Sequence, residues 1–198
     1  MERVQIRPLN RDDGVHALVD GLGPRFRFRI GSGSVSALDY EAAHIWVVDG
    51  AVGRYSLQFV PQRLAPAPRP EAIEILVSHF HWETGFLRER LGVEVDERSF
   101  GSLKHPAGTP VLTWISRNPE SMSRADPTAS GRSDEAAQPS PGSGMGNATP
   151  FSAQATLLHF PDDLLHFAVT GFDSPWTEDD LRSQVLRATL SYFPVDGK

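Results

Sequence analysis

Seven histidines and no cysteine set the terms for any chemistry in this 198-residue chain. Without thiolates, disulfides, thiolate zinc sites, iron–sulfur ligation and cysteine nucleophiles are excluded together, and a metal site has to be built from histidine and carboxylate alone. His159 and His166 are the pair that spacing favours. If Asp162 and Asp163 form a two-residue hairpin loop, positions paired across it sum to 325 and His159 faces His166. Imidazoles with Cβ atoms about 5 Å apart on one sheet face can share a metal ion, given a third ligand, or repel when protonated. The spacing names no third ligand, and the same residues serve equally as strand histidines without a chemical role. His79 and His81 resemble a chelating HxH, which requires a strand. They lie in a helical pattern instead, where two residues correspond to roughly 200° of rotation. His79 is then expected to face Glu83 as a surface ion pair, and His81 to point away from both. His16, His44 and His105 have no sequence neighbour that singles them out.

Arg25, Arg27 and Arg29 alternate with Phe26, Phe28 and Ile30, which puts three guanidinium groups on one face of a strand and three apolar groups on the other. On a chain of net charge −6, such a row is either a docking edge for an acidic partner or a solvated strand face that discourages aggregation. Trp82 and Trp114, with Trp176, read as core or half-buried anchors, or as the lining of an apolar groove. The candidate partner contacts are therefore Arg25, Arg27, Arg29, Trp82 and Trp114; the candidate metal ligands, on the alternative reading, are His159 and His166. The adjacent carboxylates Asp12-Asp13 and Glu178-Asp179-Asp180 do not face each other as an acid–base pair must, and the second group suits the positive end of a helix dipole.

No phosphate loop GxxxxGK[ST], HExxH, GxSxG elbow or EF-hand loop occurs, and Gly31-Ser-Gly-Ser34 lacks the third glycine of a dinucleotide fingerprint. Nothing in the sequence requires a cofactor. With 39% hydrophobic and 22% charged residues the chain is neither disordered throughout nor strongly self-repelling. No apolar run is long enough to span a membrane, and the first thirty residues lack the apolar core of a secretory signal. A net-acidic chain is a poor match for nucleic acid. These features predict a single cytoplasmic domain over residues 1–198.

The elements that must position these side chains follow from periodicity. Strands are expected at 25–30, at 44–48 and 54–60 about an Asp49-Gly50 hairpin, at VEVDERSF, at PVLTWISR, and at SAQATLLHF and LLHFAVTG. Pro61 to Pro70 reads as an extended connector. From Glu71 the stripe Ile73, Leu76, Val77, Phe80, Leu87 and Leu91 predicts a helix that ends at Gly92, with Gly85 as an internal weakness. A closing helix starts at the capping box Thr177 to Asp180 and buries Leu181, Val185, Ala188 and Tyr192. Arg117 to Pro150 is rich in Gly, Pro and Ser and reads as a disordered loop inserted within the domain. The fold class is α+β, an antiparallel β-sheet with the two main helices packed on one face.

From about Glu71 to Phe193 the chain resembles the PsbP-like and DcrB-like superfamily, which also contains the nuclear Ran-binding import factor and cytosolic chaperones of type VI secretion effectors. The resemblance lies in the helix EAIEILVSHFHWETGFLRERL, the following FGSLKHPAGTPVLTWIS, the hairpin LLHFPDDLLHFAVTG and the closing helix EDDLRSQVLRATLSYF, with RYSLQFVPQ before them. It implies an α/β/α sandwich and a non-enzymatic adaptor or chaperone-like module that binds another protein, with a link to secretion. The alternatives are a small metal-dependent hydrolase using His159 and His166, and a structural subunit of a larger assembly.

Overall fold

In Pro110–Arg117 the odd positions Val111 and Ile115 enter one apolar cluster while the even positions Leu112 and Trp114 enter another. A strand with apolar groups on both faces has to be covered on both, and the rest of the architecture follows from that. A computed structural model describes residues 4–39, 43–63, 71–117, 148–159, 163–173 and 175–195. In chain order the elements are β1 (Gln5–Arg11), β2 (Gly14–Asp20), β3 (Phe26–Gly31), β4 (Ser34–Asp39), β5 (His44–Gly50), β6 (Gly53–Arg63), α1 (Ala72–Leu91), β7 (Glu94–Lys104), β8 (Pro110–Arg117), β9 (Ala148–His159), β10 (Asp163–Phe172), α2 (Glu178–Leu190) and β11 (Phe193–Pro194). They form an antiparallel seven-stranded sheet, β4-β5-β6-β10-β9-β8-β7, and a four-stranded sheet, β1-β2-β3-β11. The α+β class is correct.

The larger core lies between the two sheets. Phe26 and Phe28 of β3 meet Phe59 of β6, and Phe28 also meets Phe167 of β10, at ring separations of 4.8 to 6.3 Å. Alongside them α2 buries Leu181, Val185 and Ala188 against the same face. Each such side chain contributes roughly 1.5–3 kcal/mol of burial, less for alanine. Thr177 and Asp180 form the expected reciprocal capping box at the α2 N-terminus. On the opposite face a smaller cluster joins Leu76 and Phe80 of α1 to Leu112, Trp114 and Leu164. The two helices therefore lie on opposite faces of the seven-stranded sheet, not on one; the large apolar groups on both faces of β8 are the reason.

Helix α1 begins at Glu71, whose carboxylate forms a capping box with Glu74, and ends at Gly92 in the left-handed region, at φ 63°. The hairpin from β5 to β6 closes at Gly50 and Gly53, with Ala51 and Val52 as its turn. Pro61 belongs to β6 and not to a connector; β5 has already ended at that level, so β6 is paired only with β10 and needs no second donor. Residues 64–70 and 118–147 lie outside the described residues, as do the side chain of Leu91 and residue 162 of the turn expected at Asp162-Asp163, whose second residue instead begins β10. The strands that flank 118–147, β8 and β9, pair directly, from Val111↔Leu157 to Arg117↔Phe151. The opening hairpin β1–β2, with Asp12-Asp13 as its turn, was not foreseen.

The segment before α2 is fixed by Trp176, whose indole lies on Gly171 of β10 and donates to the Arg54 carbonyl at 3.1 Å. A Cβ at Gly171 would overlap that ring, whereas one at Gly85 of α1 meets open space. Urea unfolding should show Gly171→Ala destabilised by about 1–3 kcal/mol and Gly85→Ala stabilised by about 0.5–1 kcal/mol.

Candidate functional site

Residues 79, 82, 83 and 86 share one flank of α1, as i, i+3 and i+4 positions must. That flank looks over β10 and β6, while the body of the helix lies over β7, β8 and β9. Between the flank and the sheet runs a cleft of about 690 Å³. His79, Trp82, Glu83 and Phe86 form its wall; Gln58, Val60 and Gln62 of β6, with Ala168 and Thr170 of β10, form its floor. At the far end Gln154 Nε2 donates to Ser116 Oγ at 2.6 Å, and that hydroxyl exchanges a hydrogen bond of 2.8 Å with Ser152 Oγ.

The lip is aromatic. Trp82 is 57% exposed and Phe86 44%, and their rings stack at 5.7 Å with planes 12° apart. The inner wall is imidazole. His79 and His166 are 9% and 8% exposed, with ring centres 5.9 Å apart, and the His166 ring is 5.7 Å from Trp114. His79 Nε2, His166 Nδ1, Trp114 Nε1 and Thr156 Oγ1 are all buried without a hydrogen-bond partner. Burial pulls the His79 pKa down to about 4; burial, with repulsion from His79, pulls His166 to about 3. Both rings are neutral at pH 7. Glu83, also partly withdrawn from water, is raised by desolvation.

His159 and His166 do not pair. The β9–β10 register sums to 322, so His159 opposes Asp163 and His166 opposes Thr156. The change from 325 is odd, and an odd slip moves one partner to the other face. His159 turns into the larger core, where its Nε2–H donates to the Leu22 carbonyl at 2.9 Å and its Nδ1 accepts from the Tyr192 hydroxyl at 2.6 Å. Both of its nitrogens are engaged. Among the described residues no three His, Asp or Glu side chains converge on a metal-sized point.

The remaining predicted site residues divide between surface and core. Trp82 is at the surface. Trp114 is wholly buried under α1, against Phe80 at 5.2 Å, and offers no contact to a partner. His79 is buried against His166 and does not form the surface pair with Glu83; His81 is exposed on the other side of the helix. In the arginine row, Arg25 is ion-paired with Asp20, Arg27 lies 5.0 Å above the Phe193 ring, and the Arg29 backbone N–H donates to Ser191 Oγ at 2.6 Å. Because β3 lies between β2 and β11, the row is not a free strand edge. A second concavity, about 860 Å³, holds Asp12, Asp13, His16, Arg27 and His105. There His16 Nε2–H donates to Asp13 at 2.9 Å, and His105 donates to the Leu190 carbonyl and accepts from the Ala107 N–H.

Phe86 was missed in the sequence and Glu83 was read only as an ion-pair partner of His79, although both stand off the apolar stripe of α1 beside Trp82, and an aromatic i, i+4 pair outside a buried stripe is a legible surface signal. No family model matches the chain, and no curated protein sequence does.

Neutral buried imidazoles link stability to pH. In the unfolded chain they titrate near 6.5. Stability from their burial is therefore complete above pH 6.5 and falls as the unfolded state takes up protons the folded state refuses, down to about pH 4 for His79 and about pH 3 for His166. His105, lowered by burial, acts in the same direction, whereas Glu83, raised, favours the fold below its ordinary value of 4.5 and opposes it as pH rises through its folded value. His79→Gln should reduce the slope of unfolding free energy between pH 6.5 and 4 by up to about 1.4 kcal/mol per pH unit, measured by urea titration at several pH values. An unchanged slope would show that His79 is not buried in its neutral form.

Proposed function

We propose that the chain is a non-enzymatic protein-binding module, adaptor or chaperone-like, that takes an extended segment of its partner into the cleft between α1 and the seven-stranded sheet. The observation that carries this reading is the exposed, stacked Trp82–Phe86 pair at the lip. Large aromatic groups at the centre of a contact supply most of the energy in protein interfaces, because they bury much area at little entropic cost. The volume suits a few residues of extended chain. The floor residues Gln58, Val60 and Gln62 of β6 and Ala168 and Thr170 of β10 come at alternate positions, matching the two-residue repeat of such a segment, with amide or hydroxyl groups at 58, 62 and 170.

The resemblance to the PsbP-like and DcrB-like superfamily, with its α/β/α sandwich, supports the same reading, a cytoplasmic setting and an association with secretion. No helix among the described residues is long and apolar enough to cross a membrane. The hydrolase reading lost its ligand pair when His159 and His166 fell on opposite faces. Assembly through a strand edge is opposed at β7, where the register shifts between Asp96 and Gly101; a bulge of this kind discourages a further strand.

Photo-crosslinking from position 82 should capture a protein partner that crosslinking from Val52, exposed at the β5–β6 turn, does not. With that partner in hand, Trp82→Ala combined with Phe86→Ala should weaken binding tenfold or more, about 1.4 kcal/mol, at unchanged thermal stability. Equal affinity of the double variant would refute the cleft as the docking site.

A further inference from the structure

Glu83 is the one carboxylate among the described residues that line the cleft, and no lysine or arginine is among them. It makes no hydrogen bond or ion pair with any described residue, and desolvation is what perturbs it. Cations near the cleft are committed elsewhere: Arg63 at the end of β6 to Asp163 at 3.2 Å, and Arg117 at the end of β8 to Asp96 and Glu178. A carboxylate partly withdrawn from water without a counter-charge is a cost that a bound cation removes. Next to it on the helix, Trp82 and Phe86 present exposed rings, the surfaces that cations favour. Behind it, the His79 and His166 rings are nine-tenths buried, with their Nε2 and Nδ1 closed off from the cleft. Neutral imidazoles do not repel a positive charge.

We propose that the cleft recognises an arginine side chain on the partner's segment, with Glu83 as its counter-ion, Trp82 and Phe86 as its stacking wall, and the neutral imidazoles behind as an uncharged inner wall. The assignment rests on the reading of the cleft as the docking site. Arginine fits better than lysine because its planar guanidinium stacks on rings, is weakly hydrated, and carries five donors for several acceptors at once. A free small cation would leave most of the 690 Å³ unfilled, whereas a peptide extends along Gln58 and Gln62.

The test titrates the full chain with N-acetyl-arginine methylamide, its uncharged citrulline counterpart and spermidine, following the indole N–H resonances. The arginine probe should shift the Trp82 resonance saturably and bind roughly tenfold tighter than the citrulline probe. Glu83→Gln should abolish that preference without lowering thermal stability, since Glu83 holds no partner among the described residues. Absence of a saturable shift up to the solubility of the arginine probe, equal binding of the citrulline probe, or preference retained in Glu83→Gln would each overturn the proposal. Tighter binding of spermidine would do the same. The two readings fail separately: arginine selectivity with partner affinity indifferent to Trp82 and Phe86 removes the docking reading alone, and a cleft-bound partner with no arginine selectivity removes this assignment alone.

Discussion

A seven-stranded sheet is roughly 29 Å across, at about 4.8 Å per strand, while one helix with its side chains covers about 10–12 Å. This mismatch governs the molecule. On one face the four-stranded sheet and α2 together bring enough apolar surface to bury Leu57, Phe59, Phe167 and Val169 completely. On the other, α1 alone lies over β7, β8 and β9 and reaches β10 only at Leu164 and His166, so the outer face of β6 and the Ala168–Thr170 part of β10 have no covering element among the described residues. The chain answers with composition. Gln58, Gln62 and Thr170 stand where full burial would have demanded apolar side chains, and the apolar residues of that face gather under the helix at Leu112, Trp114 and Leu164. The cleft is the boundary between the covered and uncovered parts of one sheet face.

That boundary explains why polar and aromatic groups accumulate there. His79 and His166 sit at the inner wall because the helix flank has to meet the sheet somewhere, and a neutral imidazole tolerates partial burial better than a charged group does. Trp82 and Phe86 lie one turn outward, too far from the sheet to be covered. An aromatic pair left in water, beside a carboxylate with no partner among the described residues, is a cost to the chain.

Much of this was legible in the sequence. The alternation Phe26, Phe28, Ile30 fixed a core-facing strand, the stripe from Ile73 to Phe80 fixed α1, and Thr177 with Asp180 fixed the start of α2. Three features were not. The β9–β10 register depended on where a short loop turned, and an odd error there reversed the face of every residue on one strand, which created the apparent His159–His166 pair. The β1–β2 hairpin was hidden because β1, an edge strand carrying Pro8 and mostly exposed residues, has almost no apolar alternation. The two-sided cover of the sheet was implicit in the apolar residues at both odd and even positions of β8, yet periodicity assigns no face to a distant helix. Of the site, Trp82 was identified and Trp114 was not separated from it, since tryptophan in a core and tryptophan on a surface look alike until the helix and strand carrying them are placed.

The absence of native cysteine makes one measurement decisive for the docking cleft. Thr170→Cys places a single thiol on the floor, and the affinity of the crosslinked partner is compared before and after modification with a bulky maleimide, with Val52→Cys modified in parallel. Loss of binding on modification at 170 and none at 52 is the result expected if the partner's segment lies in the cleft. Unchanged affinity with the floor blocked would contradict it.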